Sequence, residues 1–269
     1  GMARMPRAVE TLAAFGLAYG IIGLLTGMLT QARQLGLLLV EHDQGYHTVF
    51  RFGIVAGMAI SGMVALLAWT PVGSWLIADL HGVSPALTEV VLLAFAWFVP
   101  FPLFRSLTRI YIGTLLRIRR SDVTAYGSGG GIGLSIFTVF ILLPIDFIRQ
   151  DPILLPVLAT WVGALAEFAV VLWGHRRYVH FETQGAAAPL DMSYILHFFW
   201  PLALIMAVQS GTRPLINVFI AGAEDGTEAL AVLTVVYALG HIPYGWLNEV
   251  RNLPSAFRDD NDLSRIRHF

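Results

Sequence analysis

Hydrophobic positions in this chain fall into long, nearly unbroken runs instead of strand-like alternation. The runs lie at Val9–Leu29 (amphipathic onward to Val40), Phe50–Ile77, Glu89–Leu116, Val123–Phe147, Pro152–Trp173, Ile195–Ala221 and Glu228–Val250. Each is near or above the roughly 20 residues that cross a bilayer core as helix. Lipid supplies no hydrogen-bond partner, so a spanning segment must satisfy its backbone internally, and helix does so. The pattern predicts an all-α polytopic membrane protein with about seven transmembrane helices.

Composition agrees. Of 269 residues, 56% are hydrophobic and 13% charged, against about 25% charged in soluble domains. The bilayer is therefore the expected environment. Cysteine is absent and all 17 basic residues are arginine. This excludes disulfides, thiolate metal sites, a Walker A loop and a lysine Schiff base. The cluster "GSGGGIG" (Gly127 to Gly133) then reads as close helix packing through small residues, not as a phosphate cradle. Catalytic motifs such as HExxH and GxSxG are missing, so no enzyme, cofactor or metal is expected, and no nucleic acid. "GMARMPR" leads straight into a long span instead of a short signal-peptide core.

Arginine placement orients the spans by the positive-inside rule. One side holds Arg33, Arg51, Arg117, Arg119, Arg120, Arg176, Arg177, Arg251, Arg258, Arg265 and Arg267; the other holds Arg4, Arg7 and Arg149. The first side is expected to be cytoplasmic, with the C-terminus inside and the plasma membrane as location.

Shifting the chain by 218 residues lays the first span on the last. Glu10 meets Glu228, Leu12 meets Leu230, Ala13 meets Ala231, Tyr19 meets Tyr237, Gly27 meets Gly245, Leu29 meets Leu247, Arg33 meets Arg251 and Leu35 meets Leu253. The two segments lie six spans apart and so cross in one direction. Parallel repeats of this kind build two-lobed transporters of about 12 helices. The chain then reads as helices two to eight of such a parent, short of one helix before residue 1 and about four after the last residue. Residues 1–174 form the N-terminal lobe without its first helix, 175–191 the link, and 192–269 the start of the C-terminal lobe.

Two stretches, "FWPLALIMAVQSGTRPLINVFIAG" (Phe199 to Gly222) and "TEALAVLTVVYALGHIPYGWLNEVRNLPSAF" (Thr227 to Phe257), resemble the progressive ankylosis (ANKH) family. "ETLAAFGLAYGIIGLLTG" (Glu10 to Gly27) is similar to that family's second helix. The resemblance implies a fold like that of the multidrug-and-toxin-extrusion (MATE) exporters. It also implies export of anionic metabolites such as pyrophosphate, ATP or citrate.

Charges deep in the spans bear on that implication. Arg109 lies eight residues before Arg117, so about 12 Å deep at 1.5 Å per residue. Arg105 lies one turn further in and shares its face. Arg213 is eight residues from the outer end of its span, and Glu167 nine from Arg176. Such groups cost about 2.5–3.5 kcal/mol each on insertion scales, so they should face a cavity or one another. One reading pairs Glu167 with Arg105 or Arg109 to bolt helices together. The other makes Arg213, Arg105 and Arg109 an anion site, since a guanidinium fork matches phosphate or carboxylate oxygens. In "QSGTRPLIN", Gly211 and Pro214 are expected to loosen the helix beside Arg213, with Gln209, Thr212 and Asn217 as neutral partners.

The end of the last span, "GHIPYGWLNEVR", mixes helix breakers with polar groups. His241, Pro243, Tyr244, Gly245 and Trp246 read either as an interfacial aromatic belt or as a cytoplasmic gate latched by Glu249 and Arg251. In "FVPFPLF", Pro100 and Pro102 predict a kink near Arg105. "EHDQGYH" holds His42 and His47 beside Glu41 and Asp43, and reads as a solvated loop before it reads as a metal site. Two rival functions stay open. A MATE-type exporter of cationic drugs requires a carboxylate-rich cavity, and a non-transporting scaffold requires mutually paired charges. A small anionic metabolite is the expected ligand.

Overall fold

A computed structural model describes residues 7–40, 43–180 and 190–250, with residues 43–44 and 241–250 as backbone alone. Of the described residues 87% are helical and none lies in a strand. Its order is α1 (Ala8–Leu29), α2 (Ala32–Leu38), α3 (Asp43–Trp69), α4 (Pro71–Ser74), a π-helical turn (Trp75–Leu80), α5 (Pro85–Phe98), α6 (Phe101–Arg117), α7 (Ser121–Leu142), α8 (Asp146–Gln150), α9 (Leu154–Tyr178), α10 (Met192–Ala221) and α11 (Gly226–Val250). Among the described residues five helical stretches, the first of them α1 and α2 together (Ala8–Leu38), are long and apolar enough to span a bilayer. The bent pair α5–α6 makes a sixth candidate, and Gly226–Gly240 is a shorter apolar helix.

Several boundaries differ from the hydrophobic runs. The second run is not one helix to Ile77. Proline has no N–H to continue a helical ladder, and α3 stops at Trp69, just before Pro71. The Thr70 side chain caps the next turn by accepting a hydrogen bond from the Val72 N–H at 3.3 Å. The third run bends by 45° between Phe98 and Phe101, at Pro100 and Pro102. Residues Asp43 to His47, expected in a loop, form the first turns of α3. Glu41 and His42 lie outside the described residues.

Packing in lipid depends on close van der Waals fit, because the bilayer is as apolar as leucine. Glycine supplies the fit here. Gly36 of α2 and Gly113 of α6 face each other backbone to backbone. Gly131 of α7 and Gly163 of α9 do the same, and Gly127 lies on Val171. Gly129, Gly130 and Gly133 face open space, so only part of the glycine cluster packs helices. One face of a helix cannot present all five.

Helix α1 is buried on nearly all sides. Ala13, Ala14, Leu17, Ala18 and Ile22 have no exposed area, and Leu17 and Ala18 share a core with Val91, Ala94, Phe95 and Phe98 of α5. Its other side receives α10 and α11. A Cβ at Gly16 would meet the Thr234 side chain; at Gly20 it would meet Arg213 and Asn217, and at Gly27 Ser210. Contacts to α10 run in opposite residue order, so α1 and α10 are antiparallel. Positions 16 and 234 are 218 apart, and Gly16 packs on Thr234.

Candidate functional site

Two clusters of charge sit inside the spans, and their accounting differs. The first joins α6, α7 and α9. Arg105 Nη1 donates to Glu167 Oε2 at 2.8 Å, and Ser128 Oγ donates to Glu167 Oε1 at 3.0 Å. Both carboxylate oxygens are therefore used. Arg109, one turn along α6, adds a favourable Coulombic interaction with the same carboxylate. The bend at Pro100 and Pro102 sets the start of α6, whose Arg105 guanidinium lies 5.9 Å from the Phe101 ring centre. Close α7–α9 approach through Gly127, Gly131 and Gly163 brings Ser128 onto Glu167.

The second cluster lies where α1, α10 and α11 meet. Arg213 projects from α10 towards Gly20, whose missing side chain leaves room for it. Its guanidinium carbon lies 4.8 Å from the Tyr237 ring centre and 5.9 Å from that of Tyr19. Among the described residues no carboxylate pairs with Arg213. Its Nε is buried and makes no hydrogen bond. One turn further, Asn217 is buried and donates through Nδ2 to the Gly16 carbonyl at 3.4 Å. That contact ties α10 to α1 directly below the arginine.

The expected break beside Arg213 is absent. Helix α10 runs unbroken through Pro201 and Pro214. The effect of Pro214 is confined to its missing N–H, which leaves the Ser210 carbonyl without its usual helical donor. Gln209 is exposed and makes no hydrogen bond among the described residues. It does not join Arg213 and Asn217. Arg105 and Arg109 belong to the other cluster, so the five residues expected from the sequence do not form one site: Arg213 and Asn217 lie together, Arg105 and Arg109 lie together, and Gln209 joins neither. The backbone of α11 is helical through Val250. The side chains of His241, Pro243, Tyr244, Gly245, Trp246 and Glu249, and all of Arg251, lie outside the described residues. Tyr19 and Tyr237 had no functional role in the sequence reading. Their match across 218 residues was the available signal.

Spanning helices with buried, spatially separated charges define an integral membrane protein of the polytopic all-α class. The sequence model of the progressive ankylosis protein (ANKH) family matches residues 2–268, nearly the whole chain, and the chain belongs to that family. The family is a transporter-type group of membrane proteins. No solved structure matches the chain.

Proposed function

We propose that this protein exports a small anionic metabolite, of the pyrophosphate, ATP or citrate kind, across the plasma membrane by alternating access. The observation that carries the reading is the half-buried Arg213, whose Nε is enclosed and which no described carboxylate neutralises. A guanidinium costs about 2.5–3.5 kcal/mol to place at mid-depth. An oxyanion that arrives there recovers part of that cost and gains a bidentate partner. Family membership supports transport in general, and the arginine supplies the sign of the charge.

Alternating access fits the position of the site. Arg213 and the match between positions 19 and 237 lie where the last two helices meet the first. In our reading the 218-residue echo marks two lobes related by an axis along the membrane normal, as in MATE-like exporters, and this junction is their seam. A ligand on the seam touches both lobes at once and biases their rocking. The C-terminus is cytoplasmic in this arrangement.

The rival readings meet the same observations less well. A cationic-drug exporter requires a free mid-depth carboxylate, but both oxygens of Glu167 accept hydrogen bonds. A scaffold requires mutually paired charges; Arg105 and Glu167 are paired, whereas Arg213 has no carboxylate partner among the described residues.

The test is efflux from proteoliposomes loaded with pyrophosphate, ATP, citrate or a cationic dye, normalised to monodisperse protein. Arg213→Lys should impair anion efflux, because one ammonium cannot reproduce the fork. Arg213→Ala should nearly abolish it. Undiminished anion efflux by the alanine variant, or efflux of the dye alone, would remove Arg213 from the transport path.

A further inference from the structure

The way Arg213 is held carries a second conclusion, which rests on the anion-site reading above. We infer that Tyr19 and Tyr237 are components of the anion site: their ring faces hold the Arg213 guanidinium in place while leaving its N–H donors unspent. The rings are positioning elements, one from α1 and one from α11, at positions 218 apart.

Donor supply separates the ways of holding an arginine. An arginine can be fixed inside a membrane protein by a carboxylate, by carbonyl oxygens or by aromatic faces. The first two use its N–H groups. Arg105 illustrates this, because its Nη1 is committed to Glu167. An aromatic face instead attracts the cation through the ring quadrupole, with the centre of charge within about 6 Å of the ring centroid. That attraction acts on the charge and consumes no in-plane donor. At Arg213 both rings lie in this range, and the guanidinium makes no hydrogen bond among the described residues. Its Nε–H is buried and orphaned. An orphaned buried donor costs about 1–3 kcal/mol, and an oxyanion satisfies it.

Local packing fits this role. Gly20 gives the arginine stem its space: a Cβ there would come within 3.7 Å of Arg213 Cγ and Nε, and 3.0 Å of Asn217 Nδ2. Phe15 stacks on Tyr19 at 5.2 Å, and Phe98 flanks it at 6.2 Å, so the Tyr19 ring is itself braced. Free arginine carries about 2 kcal/mol of rotamer entropy. Holding it beforehand removes part of that loss from the binding step. Neither tyrosine hydroxyl makes a hydrogen bond among the described residues, so the rings and not the hydroxyls are the constrained feature.

The experiment measures the pyrophosphate-induced rise in thermal midpoint of the purified full chain in detergent, titrated at constant ionic strength, with citrate as a second probe. Tyr237→Phe and Tyr19→Phe should keep the wild-type response, because they keep the ring. Tyr237→Leu should weaken apparent affinity roughly tenfold, and Tyr19→Leu, at the longer distance, roughly threefold. Tyr237→Met serves if the leucine variant is not monodisperse. Wild-type affinity in the Tyr→Leu and Tyr→Met variants, with Arg213→Ala unresponsive, overturns the tyrosine role and leaves the anion reading standing. A tenfold loss in the Tyr→Phe variants also overturns it, by shifting the role to the hydroxyls. A response unchanged in Arg213→Ala overturns both.

Discussion

Two helix seams in this molecule are built from the same materials and behave differently. At the α7–α9 seam, Gly131 and Gly163 oppose backbone with backbone. A Cβ on Gly131 would lie 2.6 Å from the Gly163 oxygen, and one on Gly163 2.9 Å from the Gly131 oxygen. The charge beside it is paired, Arg105 with Glu167. At the seam of α1 with α10 and α11, Gly16, Gly20 and Gly27 oppose side chains: Thr234, Asn217 and Ser210. The charge beside it is Arg213, with no carboxylate among the described residues. Backbone cannot yield without moving a helix, whereas a side chain yields by rotating. The first seam is therefore a fixed joint and the second one that can rearrange. In the alternating-access proposal the carrier uses both, with the ligand at the second.

The largest effect expected is on the paired charge. Glu167→Ala leaves Arg105 without its carboxylate at mid-depth, and breaking a buried pair costs about 3–5 kcal/mol. The variant should lose most of its monodisperse yield in detergent. Arg105→Ala/Glu167→Ala should recover part of it, because the Arg105 charge is then removed together with its partner. A single variant as stable as wild type would show that this cluster is not a structural joint.

Next comes the backbone contact. Gly131→Ala forces α7 from α9 and should cost about 1–3 kcal/mol, the usual range for overpacking. Gly129→Ala, with nothing within 4 Å of the added carbon, should cost nothing measurable. Thermal midpoints of the two purified variants decide it. Equal loss would place the seam on another face of α7.

How much of this was legible follows from what each signal depends on. Hydrophobic runs depend only on the bilayer, and they located the helical spans. Depth depends on counting residues from a charged end, which put Glu167 level with Arg109 and within a turn of Arg105; the ion pair is with Arg105. Helix ends depend on local capping. Pro71 and Thr70 ended α3 several residues before hydrophobicity faded, and Pro214 left α10 intact because one missing N–H does not break a helix packed along its length. The fate of individual glycines depends on rotation about the helix axis. A run such as "GSGGGIG" does not encode that, so the open-facing Gly129, Gly130 and Gly133 were indistinguishable from Gly131. Tyr19 and Tyr237 were visible as a match across 218 residues. Their role depends on Arg213 lying between them, which is a three-helix fact.

A smaller effect is expected where glycine meets a side chain. The Thr234 hydroxyl already donates to the Leu230 carbonyl at 2.8 Å within its own helix, so the contact with Gly16 adds packing and no required hydrogen bond. Gly16→Ala should cost on the order of 1 kcal/mol, the low end of overpacking. Gly16→Ala/Thr234→Ala should restore the thermal midpoint by removing the opposing group. A Gly16→Ala loss equal to that of Gly131→Ala, with no rescue, would make the second seam as fixed as the first.

The smallest stability effect should come from Arg213, the residue our proposal places in the transport path. Arg213 is half-buried at mid-depth, where a guanidinium costs about 2.5–3.5 kcal/mol on insertion scales. What offsets this in the resting protein is attraction to two rings, about 0.5–2 kcal/mol, together with packing of the stem against Gly20. The two sides nearly balance. Arg213→Leu, which keeps apolar volume and removes the charge, should therefore shift stability by no more than about 1 kcal/mol, in either direction. Glu167→Ala, at similar depth, should differ from it by several kcal/mol because it unpairs a charge instead of deleting one. The measurement is the thermal midpoint of both variants in the same detergent without added anion. A collapse of Arg213→Leu as severe as that of Glu167→Ala would mean the arginine is already satisfied in the resting fold. The contrast between the seams would then disappear, and with it the reason to place a transported anion at the second.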